Sequence, residues 1–420
     1  MTRLLVSLRP FILAVLLLML PVRRSMAEDR VDFTLGYYLE DHHRVEVYSP
    51  SLLLETDVNP TTVMRLQSTY DVVSGASPTG APLTRLTRAE QRQVTSTQSG
   101  IGIIGYHATA GPTPHTPGPT VPIYGPVSSA TKIMQTVQVP FGKSFLPMQT
   151  FTDQRLGLDL EFDHHDGDWI YSGGVAYGHE RDYESVAGTA KISREFNHKA
   201  TVLSLGTALG HDWVLDPTVH KYVGKDTFDN ILSVSQVINT KTLLTLSGTL
   251  GTAWGYLDDQ YKYASVNDII VHENRPDARD RRIAMAVLNH AFDSVHGSLE
   301  GSYRFYNDSY GIDAHTFGLT WYQHLGRYLI LAPDVRYYEQ SAADFYAVKF
   351  TGNPTLFSSD YRLSNMATVT YGLKMIVKFS EKFNFSVGYD RYSMWGLDGQ
   401  TPQAAYPKAN IITAGFKLWY

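Results

Sequence analysis

Apolar and polar residues alternate one by one along much of the chain. Side chains of a strand point to opposite faces in turn, so each such stretch predicts a strand with one apolar face. RLGLDLEFD sets Leu156, Leu158, Leu160 and Phe162 on one face and Arg155, Asp159, Glu161 and Asp163 on the other. LLTLSGTLGTAW sets Leu244, Leu246, Leu250 and Trp254 against Thr245, Ser247, Thr249 and Gly251. VTYGLKMIVKF sets Val369, Tyr371, Leu373, Met375, Val377 and Phe379 against Thr370, Gly372, Lys374 and Lys378. The last stretch, NIITAGFKLWY, sets Ile412, Ala414, Phe416, Leu418 and Tyr420 against Thr413, Gly415 and Lys417. These stretches exceed the ~5–6 residues usual in a soluble strand. They match the ~9–11 residues a strand needs to cross a bilayer. Aromatics near the ends of the apolar faces (Trp169, Tyr177, Trp254, Trp321, Tyr328, Tyr337, Tyr389 and Tyr420) form the pattern of an interfacial girdle.

Predicted strands begin near Val31, Val45, Thr62, Arg155, Trp169, Ser185, Ala200, Asn230, Thr242, Ile283, Gly297, Asp313, Tyr328, Met366, Phe383 and Lys408. The links between them alternate in character. DVNP, HHDGD, EFNHK, NTK, DSVH, HLGR and SEK are short turns. Between these come longer links, 74–150, 211–229, 255–282, 341–364 and 395–407, and short ones at 40–44, 179–184 and 307–312. Short turns on one side and longer loops on the other are the mark of an up-and-down membrane barrel. In lipid every backbone N–H and C=O must be paired, so only helices and closed barrels span. The expected fold is therefore all-β: a transmembrane antiparallel up-and-down β-barrel of about 16 strands with long extracellular loops. Its last strand closes against RVDFTLGYYLE. Phe416, Leu418 and Tyr420 then face lipid and supply a C-terminal signal for the barrel-assembly machinery.

The N-terminus adds an address. A basic start with Arg3 and Arg9, an apolar run PFILAVLLLMLPV and small residues at Ser25 and Ala27 predict a signal peptide over 1–27. The barrel then spans 28–420 in the outer membrane, against lipid and lipopolysaccharide. There is no cysteine, which excludes disulfides, thiolate metal sites and C-x-x-C-H haem attachment. A net charge of −5 argues against a nucleic-acid partner. The 27 tyrosines and 33 glycines suit an aromatic-rich β protein.

YDVVSGASPTGAP from Tyr70, HENRPDARDRR from His272 and YYEQSAADFY from Tyr337 resemble motifs of the family catalogued as domain of unknown function 3570. The resemblance runs from about Glu28 to Tyr420. It implies an outer-membrane barrel of a Gram-negative bacterium, with no catalytic residue, metal or cofactor carried over. On this topology Asn274, Arg275, Pro276 and Asp277 lie in one extracellular loop. Gln340, Ser341, Asp344 and Tyr346 begin another.

Candidate chemistry lies mainly inside the barrel. Alternation points Arg155, Asp159, Glu161, Lys191, Glu300, Arg304, Asp334, Arg336, Lys374, Lys378, Asp390 and Lys417 to the lumen. A Lys or Arg facing lipid at mid-depth would cost about 2–4 kcal/mol. A barrel of this size encloses an aqueous space. Passage of a small solute or ion is the expected function. A barrel scaffold holding an exported redox or metal-handling partner protein is the alternative, and an outer-membrane hydrolase the third. The hydrolase would need a Ser-His-Asp set or paired acids at one level, and no G-x-S-x-G motif appears; no enzyme is expected. His42, His43, His164 and His165 are metal-type residues, but the pairs fall at opposite ends and read as turns. Residues 74–150 are expected as a disordered or inward-folding plug loop, with TRLTRAEQRQ as a short basic helix.

Overall fold

The computed structural model describes residues 29–94, 100–110, 117–127 and 133–420. The predicted signal peptide lies outside them. The strands are β1 (Arg30–Glu40), β2 (Val45–Asn59), β3 (Thr62–Pro78), β4 (Thr84–Val94), β5 (Gly100–Ala110), β6 (Pro117–Val127), β7 (Ile133–Phe145), β8 (Met148–Asp166), β9 (Trp169–His179), β10 (Tyr183–Phe196) and β11 (Thr201–Asp216). They continue with β12 (Lys221–Asn239), β13 (Thr242–Gly255), β14 (Tyr263–Val266), β15 (Ile269–His272), β16 (Ala278–Phe292), β17 (Gly297–Asp308), β18 (Asp313–Leu325), β19 (Leu329–Gln340), β20 (Met366–Ser380), β21 (Phe383–Gly396) and β22 (Lys408–Trp419). Sixteen of them close into one barrel in the order β1-β2-β3-β8-β9-β10-β11-β12-β13-β16-β17-β18-β19-β20-β21-β22, each antiparallel to its neighbours. β1 closes the ring against β22, with Asp32 opposite Lys417 and Phe33 opposite Phe416.

The two faces of the alternation have different surroundings. Leu158, Val175, Leu205, Leu250, Leu319, Leu373 and Phe379 stand exposed on the outer face. Exposed apolar side chains in a continuous belt are what a hydrocarbon surrounding accommodates and water does not. Inside, the walls differ from each other. β9, β10 and β11 present Gly174, Ala176, Gly178, Ala187, Gly206, Ala208 and Gly210 in register. The facing arc, β16 to β21, presents arginines, tyrosines and carboxylates. The open space of the barrel therefore lies against the small-residue wall.

Lower-rim turns are tight. Gly167 and Asp168 form the two-residue β8–β9 turn, with Gly167 at φ +59° and nothing within 4 Å of a Cβ placed there. Links at the other end, the upper rim, are longer. Several strands run higher than the hydrophobic pattern predicts. The expected loop 211–229 is mostly ladder, because β11 and β12 pair up to Asp216 and Lys221. β16 begins at Ala278 rather than near Ile283. The described residues of 74–150 are mostly strand. β3 and β8 pair up to Pro78 and Met148, and β4–β7 and β5–β6 form two further two-stranded sheets. TRLTRAEQRQ lies in strand β4, not in a helix. Its ladder with β7 satisfies the backbone that a helix would have satisfied internally.

Candidate functional site

Two upper-rim links, 256–277 and 341–365, fold together across the barrel mouth. They join each other through bridges between Val266 and Phe350 and between Asn274 and Phe357. An ionic cluster with buried carboxylates lies between them. Arg275 ion-pairs with Glu273 at 2.7 Å and with Asp360 at 2.9 Å. Arg362 pairs with Asp360 at 2.6 Å and also with Asp259. Glu273 accepts from Ser358 Oγ at 2.6 Å and from the Asp259 N–H at 2.6 Å. Asp360 is 1% exposed, so each oxygen depends on these partners. Burial opposes ionisation of Asp360, but Arg362, Lys262 and Arg275 outweigh it and hold the carboxyl below its ordinary value. Burial pushes the Glu273 carboxyl up despite Arg275. It pulls the Lys262 ammonium down.

The cluster is tied to the rim on several sides. Lys262 Nζ donates to Ser77 Oγ at 3.0 Å and to the Pro78 carbonyl at 2.6 Å, both on β3. Gln260 Nε2 donates to Asp182, between β9 and β10, at 2.6 Å, and Tyr261 donates to the same carboxylate. Tyr310, between β17 and β18, donates to the Pro276 carbonyl at 3.1 Å. Tyr346 bonds Thr401 at 2.6 Å, and Ser364 bonds Tyr406 at 2.7 Å, both between β21 and β22. These anchor points are spread around the strand order, so the two links form a cap across the mouth. Tyr310, Ile312, Ala314, Ala343, Phe345 and Leu363 pack as its apolar core against the β17–β18 turn.

The motif residues singled out in the sequence meet in this cap. Asn274 Nδ2 donates to the Thr355 carbonyl at 2.6 Å. Arg275 is at the centre of the ion cluster. Pro276 and Asp277 offer their carbonyls to Tyr310 and to the Gly255 N–H. Gln340, the last residue of β19 rather than a loop residue, donates to the carbonyls of Arg362 and Ser364 at 3.0 Å each. Ser341 Oγ donates to the Gly311 carbonyl at 3.1 Å. The Asp344 carboxylate lies 2.4 Å from where a Cβ on Gly311 would stand, and Gly311 has φ +82°. The third stretch joins them. Gly80, at φ +87°, lets the chain pass where a Cβ would come within 2.4 Å of the Tyr263 carbonyl and 3.0 Å of the Ser359 carbonyl.

Under the cap lies a chamber of about 700 Å³ lined by Asp258, Asp259 and Arg362 from above and by Lys225, Arg279, Arg281, Arg304, Tyr306 and Tyr338 from the wall. Arg279 and Arg281 were missed because the sequence pattern left them in a loop. Here they point inward from β16, Arg279 to Asp308 at 2.5 Å and Arg281 to Asp229 at 2.9 Å. The other inward charges sit along the lumen walls. Lys191 reaches Glu161 at 3.8 Å, Arg155 reaches Glu180 at 3.5 Å, and Lys417 reaches Asp32 at 3.1 Å. Asp159 lies inward on β8 beside them. Glu300, Arg304, Asp334, Arg336, Lys374, Lys378 and Asp390 line the facing arc. Phe416 packs against Phe33 at 5.6 Å and Phe383 at 6.2 Å on the outer face, where Leu418 and Tyr420 also lie. His42 and His43 occupy the upper-rim turn after β1, while His164 and His165 end β8 at the lower rim. Asp153, Glu180 and Asp182 do come together at the upper rim. Asp182 is already engaged by the cap and Glu180 by Arg155.

The family model described as "Protein of unknown function (DUF3570)" matches residues 16–223 and 216–405. The chain belongs to this family. Two of the three stretches that resemble the DUF3570 motifs thus run into the cap, and the third meets it at Ser77, Pro78 and Gly80. No curated protein matches the chain in sequence. Among solved structures, a bacterial polysaccharide outer membrane secretin is similar at 5% identity and TM-score 0.46, over 94% of this chain and 100% of that one. OmpT, an outer membrane protein of Vibrio cholerae, is similar at 8% identity and TM-score 0.42, over 96% and 100%. OccK5 of Pseudomonas aeruginosa is similar at 6% identity and TM-score 0.41, over 94% and 98%.

Proposed function

We propose that the protein is an outer-membrane β-barrel that passes a small solute or ion, with the cap over its upper mouth restricting what enters. The observation that carries this reading is the cap itself. The carboxylates at the centre of its ionic cluster, Glu273 and Asp360, are buried, its anchors are spread around the rim, and a charged chamber lies directly beneath it. The exposed apolar belt and the even number of strands support the membrane setting. Charged side chains lining a lumen set which solutes enter and leave it. The reading is one of passage rather than catalysis, and the chamber's wall cations Lys225, Arg279 and Arg281 are each held in an ion pair. Swelling of proteoliposomes in neutral sugars of graded size tests it. Monosaccharides should enter faster than from protein-free vesicles, and oligosaccharides should be excluded. Equal entry of both would remove the cap's role, and entry of neither would remove the channel.

A further inference from the structure

We propose that Arg304 and Arg336 form a binding site for a small oxyanion, a carboxylate or phosphate group, in the lumen beneath the cap. The inference rests on the reading of a lumen open to small solutes and names the chemistry that lumen would hold. Arg304 lines the chamber, and Arg336 stands in the lumen beside it; the chamber's other wall cations are neutralised, Arg279 by Asp308 at 2.5 Å, Arg281 by Asp229 at 2.9 Å and Lys225 by Asp212 at 2.8 Å. Arg304 and Arg336 make no ion pair among the described residues. The Arg304 guanidinium lies 5.6 Å from the centre of the Tyr306 ring, a contact that leaves its N–H donors free to turn to a ligand. Thr316 of β18 stands between Arg304 and Tyr338 in one row, and Arg336 is the next inward residue below Tyr338 on β19, so the two arginines flank the same tyrosine from two strands.

The strand between them makes room. β18 sets Thr316 opposite Arg304 and Gly318 opposite Arg336. Neighbouring strands lie about 4.8 Å apart, so the backbones of β17 and β19 are separated by roughly 10 Å across these short residues. Two guanidinium forks on flexible stems can converge over such a gap, and their planar donor sets match the two oxygens of a carboxylate or phosphate. Arg304, half-buried without a counter-ion, is left short of interaction energy that an oxyanion restores, and Arg336, exposed to the lumen, is free to swing onto the same ligand. The next tier down carries the opposite sign. Asp334 is the next inward residue below Arg336, and Glu300 lies below Arg304. An anion is attracted at the arginine tier and repelled below it, which fixes its height in the lumen.

The full-length barrel in detergent, titrated calorimetrically with inorganic phosphate and with succinate, tests the site. Wild type is expected to bind at least one of them, and which one binds identifies the group recognised. R304Q and R336Q should each weaken binding by about tenfold, the loss of one charge-assisted pair of hydrogen bonds. The double variant should show no binding, and R282Q, whose arginine faces outward, should bind as wild type does. Heat-modifiable gel mobility reports that each variant is a closed barrel. Wild type binding neither probe, or the double variant binding as tightly as wild type, would overturn the proposal. The readout needs no transport, so a barrel that binds but does not conduct fails the channel reading alone. A barrel that conducts but binds neither probe fails this site alone.

Discussion

Asp360 is the residue on which the cap turns. It lies 1% exposed between Arg275 and Arg362, which come from different loops. Removing one partner of a buried ion pair costs about 3–5 kcal/mol, because the other charge stays buried without a counter-charge. Asp360→Asn is therefore expected to loosen the cap while leaving the barrel closed. Limited proteolysis should cut the variant within 341–365 and spare the strands; unchanged protection would count against the cluster as the cap's clasp. The pH dependence has two opposed parts. The folded pKa of Asp360 is lowered, so its contribution is present above the ordinary carboxyl value of about 3.9 and is lost only as pH falls through the lowered one. The folded pKa of Glu273 is raised by burial, so its ionisation costs stability at neutral pH, and that cost is relieved as pH falls. Wild-type protection at pH 5 should equal or exceed that at pH 7. In D360N only the Glu273 part should remain.

At the scale of elements, the closing strand β22 makes a separate prediction. Lys417 faces the lumen, about half exposed, and pairs with Asp32 across the seam at 3.1 Å. An exposed pair of this kind is worth at most about 1 kcal/mol, so Lys417→Gln should assemble normally in membranes. Deletion of Tyr420, on the outer face and bonded through its N–H to the Asp29 carbonyl at 3.0 Å, should impair assembly, read as the fraction of heat-modifiable barrel in outer-membrane preparations. Normal insertion of the deletion would refute a C-terminal assembly signal. The strands were legible because each has one face against an apolar surrounding and one against a polar lumen. That contrast fades at the upper rim. In β16 the inward Arg279 and Arg281 alternate with the outward Asp280 and Arg282, so both faces are charged and the strand looked like loop. The tops of β11 and β12, with His211, Asp212, Lys225 and Asp226, hid their ladder in the same way. The cap was not legible at all. Arg275 and Asp360 meet although they are 85 residues apart, and neither lies in a periodic stretch. The family-like stretches marked its parts without showing that they touch.

The whole molecule is a sixteen-strand barrel with an apolar outer belt, an asymmetric polar lumen and a cap joined to the rim on several sides. One lumen wall is built of glycine, alanine and threonine, and the other of arginine, tyrosine and carboxylate. Passage would follow the small-residue wall and be sorted by the charged one. The cap stands in series with both, so its removal should change conduction more than any single lumen substitution. The most direct measurement is single-channel conductance in planar bilayers, comparing wild type with a variant whose residues 345–362 are replaced by a short Gly-Ser link. The account predicts small current steps for wild type and severalfold larger steps for the variant. Equal steps, or silence from both, would contradict it.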